Sequence, residues 1–159
     1  MTHESKASTA QATTPQADAA KPFLYEDDVV TAVMTHLAGD GWSIEGHAMA
    51  HQHGDDIVAR RGVDRLVIEA KGAGSSKMGT KRYGSLFTRN QVRSHVSVAI
   101  HRALRVWSGG EAQAGLAFPD NQHHREMVSH VLPALRRLGI AVFWVADDLS
   151  VSVDHETAQ

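Results

Sequence analysis

Three observations predict a mixed central β-sheet flanked by helices, an α/β fold. Apolar residues recur at helical spacing in three separate segments, short strand-like runs lie between those segments, and three of the runs follow one another across glycine-containing turns with no helix between them. With 159 residues, 42% of them apolar, the chain fills one ordinary domain.

Residues 1–21 contain no Val, Ile, Leu, Phe, Tyr or Trp and are expected to form a disordered tail, leaving 22–159 as the single domain. A helix is expected from about Leu24 to Ala38, because Val30, Val33 and Leu37 share one face before Gly39-Asp40-Gly41 ends it. The runs WSIEGHAMA, DDIVARR and RLVIEAK predict three strands. After a long loop, Val92, Val96, Ala99, Ile100, Ala103 and Trp107 mark an amphipathic helix, and AGLAF a short strand. Met127, Val128, Val131, Leu132, Leu135 and Leu138 predict a last helix bent by Pro133, followed by the strand IAVFWVA. The expected order is αβββαβαβ, with VSV as a candidate edge strand.

Composition excludes several classes of protein. With no cysteine there is no disulfide framework, thiolate nucleophile or thiolate zinc site. No run approaches the roughly 20 apolar residues that span a bilayer, and no signal-peptide pattern opens the chain, so a soluble cytoplasmic protein is expected.

The stretch GDDIVARRGVDRLVIEAKG, residues 54–72, carries the chemistry. Gly62-Val63 suits a two-residue hairpin turn with glycine first. Pairing outward from that turn sets Arg61 against Asp64, Val58 against Val67, and Asp56 against Glu69, with Lys71 on the same face as both acids. Ile57, Ala59, Leu66, Ile68 and Ala70 take the other face, ready to pack under a helix. A slip of one residue would separate the two acids. Facing carboxylates repel unless a cation lies between them. Hard oxygen ligands without cysteine favour Mg²⁺, with Mn²⁺ as a substitute, held by Asp56 and Glu69 with the Ala70 carbonyl as an extra ligand. Lys71 would orient a water and offset negative charge developing on a phosphate. The alternative is that these charges merely solvate an exposed sheet face.

Asp55-Asp56-Ile57-Val58-Ala59 followed by Ile68-Glu69-Ala70-Lys71 resembles the signature of the PD-(D/E)xK nuclease superfamily, with Asp55 where that family often has proline. The resemblance spans most of residues 25–146 and implies a restriction endonuclease-like fold, Asp56 and Glu69 as metal ligands, Lys71 as the catalytic lysine, and phosphodiester hydrolysis leaving a 5′-phosphate. Glu26 lies on the inward stripe of the first helix and resembles the first-helix glutamate that helps bind metal in related nucleases, including archaeal-type Holliday junction resolvases. Its alternative is a first-turn acid serving the helix dipole. Gln91 resembles a glutamine placed near metal or water in several branches. Its alternative is an ordinary polar residue of a helix's first turn.

Net charge is −2 overall, yet residues 60–105 hold 11 of the 16 Lys and Arg residues against only Asp64 and Glu69, a local balance of +9. That concentration is the footprint of a polyanion partner, most simply DNA. The acid-free stretch GAGSSKMGTKRYGSLFTRN offers Lys77, Lys81, Arg82 and Arg89 to phosphates and Tyr83 or Phe87 to a base, and Arg93 extends the surface along the next helix. Phe87 is equally suited to the core. The histidines of His51-Gln52-His53 and His123-His124 lack an evident third ligand and read as solvent-exposed, with Asp120 or Asn121 capping a helix.

These features lead to the expectation of a Mg²⁺-dependent nuclease, structure-selective or guided by a partner, acting as a homodimer or within a larger DNA-processing complex. The competing expectation is a noncatalytic nucleic-acid-binding module of the same fold. A carbohydrate hydrolase built on the acid pair leaves the +9 window unexplained.

Overall fold

The computed structural model describes residues 23–49 and 54–155. The expected tail and the His51-Gln52-His53 stretch lie outside these residues. Six strands form one mixed sheet in sequential order: β1 (Ser43–His47), β2 (Ile57–Arg61), β3 (Asp64–Ala70), β4 (Gln113–Pro119), β5 (Ala141–Val145) and β6 (Val151–Asp154). β1, β2 and β3 pair antiparallel, β3, β4 and β5 parallel, and β6 returns antiparallel to β5.

Helix α1 (Glu26–Gly39) covers one face of the sheet. The Asp28 carboxylate accepts the Tyr25 N–H at 2.9 Å and so secures the helix start, while Val29, Val30, Val33 and Leu37 form its buried stripe. Helices α2 (Arg89–Gly109), α3 (Gln122–Ser129) and α4 (Leu132–Arg137) cover the opposite face. The period of two along the strands divides the side chains between two cores. Leu66, Ile68, Ala70, Ala117, Phe143 and Val145 face α1, whereas Leu116, Phe118, Val142 and Trp144 face α2, α3 and α4. Each fully buried Leu, Ile or Phe side chain contributes about 1.5–3 kcal/mol to holding these layers together.

The hairpin register is the expected one as far as the ladder runs, from Arg61 opposite Asp64 to Ile57 opposite Ile68. Gly62 takes a φ of 61° at the first turn position, a conformation that costs glycine little. Asp56 and Lys71 each lie one residue beyond the strand ends, and backbone bonds still carry them: the Asp56 carbonyl accepts the Ala48 N–H at 3.1 Å and the Lys71 N–H donates to the Ala117 carbonyl at 3.0 Å.

The sequence also predicts one last helix bent at Pro133, but there are two. Pro133 sits in the first turn of α4, where its missing N–H costs nothing, and α3 stops at Ser129. The α2 helix is fixed at its start by a reciprocal cap, in which the Gln91 side chain accepts the Thr88 N–H at 2.9 Å, and at its end by Gly110 with a φ of 71°. Residues 71–88 are not an open loop. They fold back on themselves through a Gly74–Leu86 bridge and the bonds from Phe87 N–H to Ala73 C=O (2.8 Å) and Ser75 N–H to Ser85 C=O (3.1 Å).

Candidate functional site

The carboxyl end of β3, the residue before β2 and the first turn of α1 meet at one point. Strand alternation aims Glu69 away from the α1 core, and the chain leaving the strand turns Lys71 back toward it. The Lys71 Nζ lies 2.5 Å from Glu69 Oε1, 2.6 Å from the Ala70 carbonyl oxygen, and 3.7 Å from both Asp56 Oδ2 and Glu26 Oε2. All four groups expected as metal ligands therefore surround one cationic nitrogen. Asp56 is additionally fixed by accepting the Ala70 N–H at 2.7 Å.

These charges do not solvate an open sheet face. Asp56 and Glu69 are only 7% and 6% exposed, because α2 packs over this side of β3. From α2, Arg102 donates through Nη1 to both Glu69 oxygens at 3.0 Å. Sequence reasoning counted Arg102 within the basic window without assigning it a role. The available signal was its position beside Ala99 and Ala103, two small residues of the buried stripe that leave room for a long side chain to reach the sheet.

Burial dominates the protonation of this cluster. It pushes the Asp56 carboxyl up to about 6, against the lowering influence of the Lys71 ammonium and the Ala70 N–H. Burial likewise raises Glu26, again opposed by Lys71. Three carboxylates meet two cations here, and at Asp56 and Glu26 the cost of burial outweighs the lowering influence of Lys71. Glu26, Asp56, Glu69 and the Ala70 carbonyl form an all-oxygen donor set, the chemistry that could hold Mg²⁺ or Mn²⁺. As they stand, no three His, Asp or Glu side chains among the described residues form a ready metal site; the Lys71 ammonium occupies the space between the oxygens.

Glu26 separates from its neighbours by role. Asp28 takes the capping position, while Glu26 turns inward to Lys71. Gln91, by contrast, is engaged in the α2 cap with Thr88, which is the alternative foreseen for it. His95 lies one turn further along α2 than Gln91. It lines a cavity of about 270 Å³ together with Glu26, Lys71, Gly72, Ser75 and Phe87, and burial and the nearby Lys71 charge lower its pKa. Gln91 lines an adjoining cavity of about 480 Å³ with Ser75, Arg82 and Phe87.

Lys77, Lys81, Arg82 and Tyr83 are exposed on the folded-back loop, and Arg93 is exposed on α2. Among the described residues none of these four cations forms an ion pair, whereas Arg89 pairs with Glu126 of α3. Phe87 is half-buried, edge-on to His95 at 4.4 Å, and serves the core rather than presenting a stacking face. His124 corrects the expectation of an exposed histidine. It is fully buried against Phe118, its ring Nδ1 meets Asn121 Oδ1 at 2.9 Å, and burial holds its pKa down to about 4, so it is neutral. Asn121 is the α3 cap, accepting the His124 N–H at 3.1 Å.

No helix among the described residues is long and apolar enough to cross a membrane. The chain matches no known family profile and no curated protein. Among solved structures it is similar to an XisH family protein from Nostoc punctiforme, at 15% identity and a TM-score of 0.44, covering 79% of this chain and 97% of that one.

Proposed function

We propose that this chain is a metal-dependent nuclease of restriction endonuclease-like fold, hydrolysing phosphodiester bonds of nucleic acid, most simply DNA. The observation that carries this reading is the convergence of Glu26, Asp56, Glu69 and the Ala70 carbonyl on one point, which the Lys71 ammonium occupies. Mg²⁺ bound by those oxygens would polarise a phosphoryl oxygen and lower the pKa of water. Asp56 and Glu69 hold the site, with Asp56 kept in place by the Ala70 N–H. With a divalent ion held by Glu26, Asp56, Glu69 and the Ala70 carbonyl, the role of the Lys71 amine would be to orient a water and to offset charge on the phosphate. The exposed cations Lys77, Lys81, Arg82 and Arg93 supply phosphate contacts, and Tyr83, 55% exposed, supplies a stacking face.

A specific observation favours a second reading. Lys71 and Arg102 already fill the oxygen cluster as internal cations, as they would in a noncatalytic nucleic-acid-binding module of the same fold.

Incubation with linear, nicked, branched and circular DNA and with RNA, in Mg²⁺, Mn²⁺ or EDTA, separates the two. The nuclease reading expects cutting in Mg²⁺ or Mn²⁺ only, abolished in Asp56→Ala and Lys71→Ala. Binding without cutting under every condition supports the module, and equal cutting by the alanine variants points to a contaminant.

A further inference from the structure

The Glu69–Lys71 pair is a partition between two clefts. On the Lys71 side lies the cavity of about 270 Å³ bounded by Glu26, Ser75 and His95. On the Glu69 side lies a cleft of about 410 Å³ bounded by Gly54, Asp55, Glu69, Arg102, Arg105 and Val106. His95 and Arg102 are seven residues apart on α2, so the two clefts are offset by about 10 Å along that helix. Two arginines of α2 line the second cleft, against the acids Asp55 and Glu69. Arg102 uses only Nη1 on Glu69, leaving Nε and Nη2 without a protein acceptor among the described residues, and Arg105 forms no ion pair among them. Asp55 is the one acid on its rim besides Glu69, which Lys71 and Arg102 already hold.

We propose that a nucleic-acid strand crosses both clefts, with Arg102 and Arg105 binding backbone phosphates on one side of the acids and the glycine-serine loop binding them on the other. The substrate bond is then internal to the strand, and cutting is endonucleolytic. This proposal rests on the nuclease reading. A site that trims ends has to seat a terminus against a wall, whereas here, among the described residues, Arg102 and Arg105 offer phosphate contacts beyond Glu69.

The test uses the full chain, a covalently closed single-stranded DNA circle and a fluorescent linear oligonucleotide, with anisotropy in EDTA for binding and Mn²⁺ for cutting. The parent is expected to open the circle. Arg105→Glu is expected to weaken oligonucleotide binding at least 10-fold, and Arg105→Gln to lower the slope of log affinity against log salt by about 0.7, one phosphate contact on a single strand. Thermal melting checks that both variants fold. Degradation of the linear strand with the circle left intact overturns the proposal while sparing the nuclease reading, as does unchanged affinity and salt slope in a folded Arg105→Gln. A parent that cuts neither substrate nor any other nucleic acid removes both.

Discussion

The Asp56 carboxylate accepts the backbone N–H of Ala70 at 2.7 Å, across the open end of the β2–β3 hairpin. This bond continues the pairing of the two strands past their last ladder residues and delivers Asp56 beside Glu69 and Lys71. Asp56→Ala leaves the Ala70 N–H buried and unsatisfied, which costs about 1–3 kcal/mol. Asp56→Asn keeps an acceptor for that bond and removes only the charge. Denaturant melts at pH 7 are expected to show Asp56→Asn at least as stable as the parent and Asp56→Ala less stable than Asp56→Asn, while both lose metal-dependent cutting.

The two largest shifts that act between pH 4 and 6, at Asp56 and His124, have opposite signs. Asp56 has a folded pKa near 6 against an ordinary 3.8, so its protonated form favours folding below 3.8 and that contribution is lost as pH rises through 6. His124 has a folded pKa near 4 against an ordinary 6.5, so its contribution is present above 6.5 and lost as pH falls toward 4. Each difference corresponds to about 3 kcal/mol, and the windows overlap. The parent is expected to show a nearly flat stability between pH 4 and 6. Asp56→Asn should lose stability on acidification over that range and His124→Leu should gain it. Parallel pH profiles for all three proteins would contradict these environments.

Removing the ammonium tests what holds the acids together. Lys71→Met leaves Glu26, Asp56 and Glu69 facing Arg102 alone, which should lower stability at pH 7 by up to about 3 kcal/mol and by less at pH 5, where the acids take up protons. Mg²⁺ should restore part of that loss by binding the folded state alone. Melting temperatures at both pH values, with and without Mg²⁺, read this directly.

The glycines after Lys71 set the approach of α1. A Cβ on Gly72 would lie 2.3 Å from the Glu26 nitrogen and one on Gly74 2.0 Å from the Phe23 ring. Backbone cannot yield as a side chain can, so Gly72→Ala is expected to cost at least about 1–3 kcal/mol and to move Glu26 away from Lys71, lowering metal affinity. Calorimetric Mn²⁺ titration checks the second effect.

How far the site was legible in the sequence follows from the range of each interaction. The hairpin was readable because Gly62-Val63 fixes the register locally, and one register then determines every facing pair. The two apolar faces followed from the same alternation. Arg102 was not readable as a partner of Glu69, since they are 33 residues apart and meet only through the rotation of α2 on the sheet. The burial of His124 likewise depends on α3 packing against Phe118, which no local pattern announces. Gln91 illustrates the reverse, because Thr88 three residues before it was a sufficient local reason for its position. The split at Pro133 came from a proline better placed at a helix start than within one.

Anomalous diffraction from crystals grown with Mn²⁺ tests the central claim most directly. The expected result is a single strong peak coordinated by Asp56, Glu69 and the Ala70 carbonyl, with Glu26 in its surroundings and the Lys71 amine displaced from them. Density showing the amine still seated between Glu69 and the Ala70 oxygen at saturating Mn²⁺, with no peak among these side chains, would contradict it.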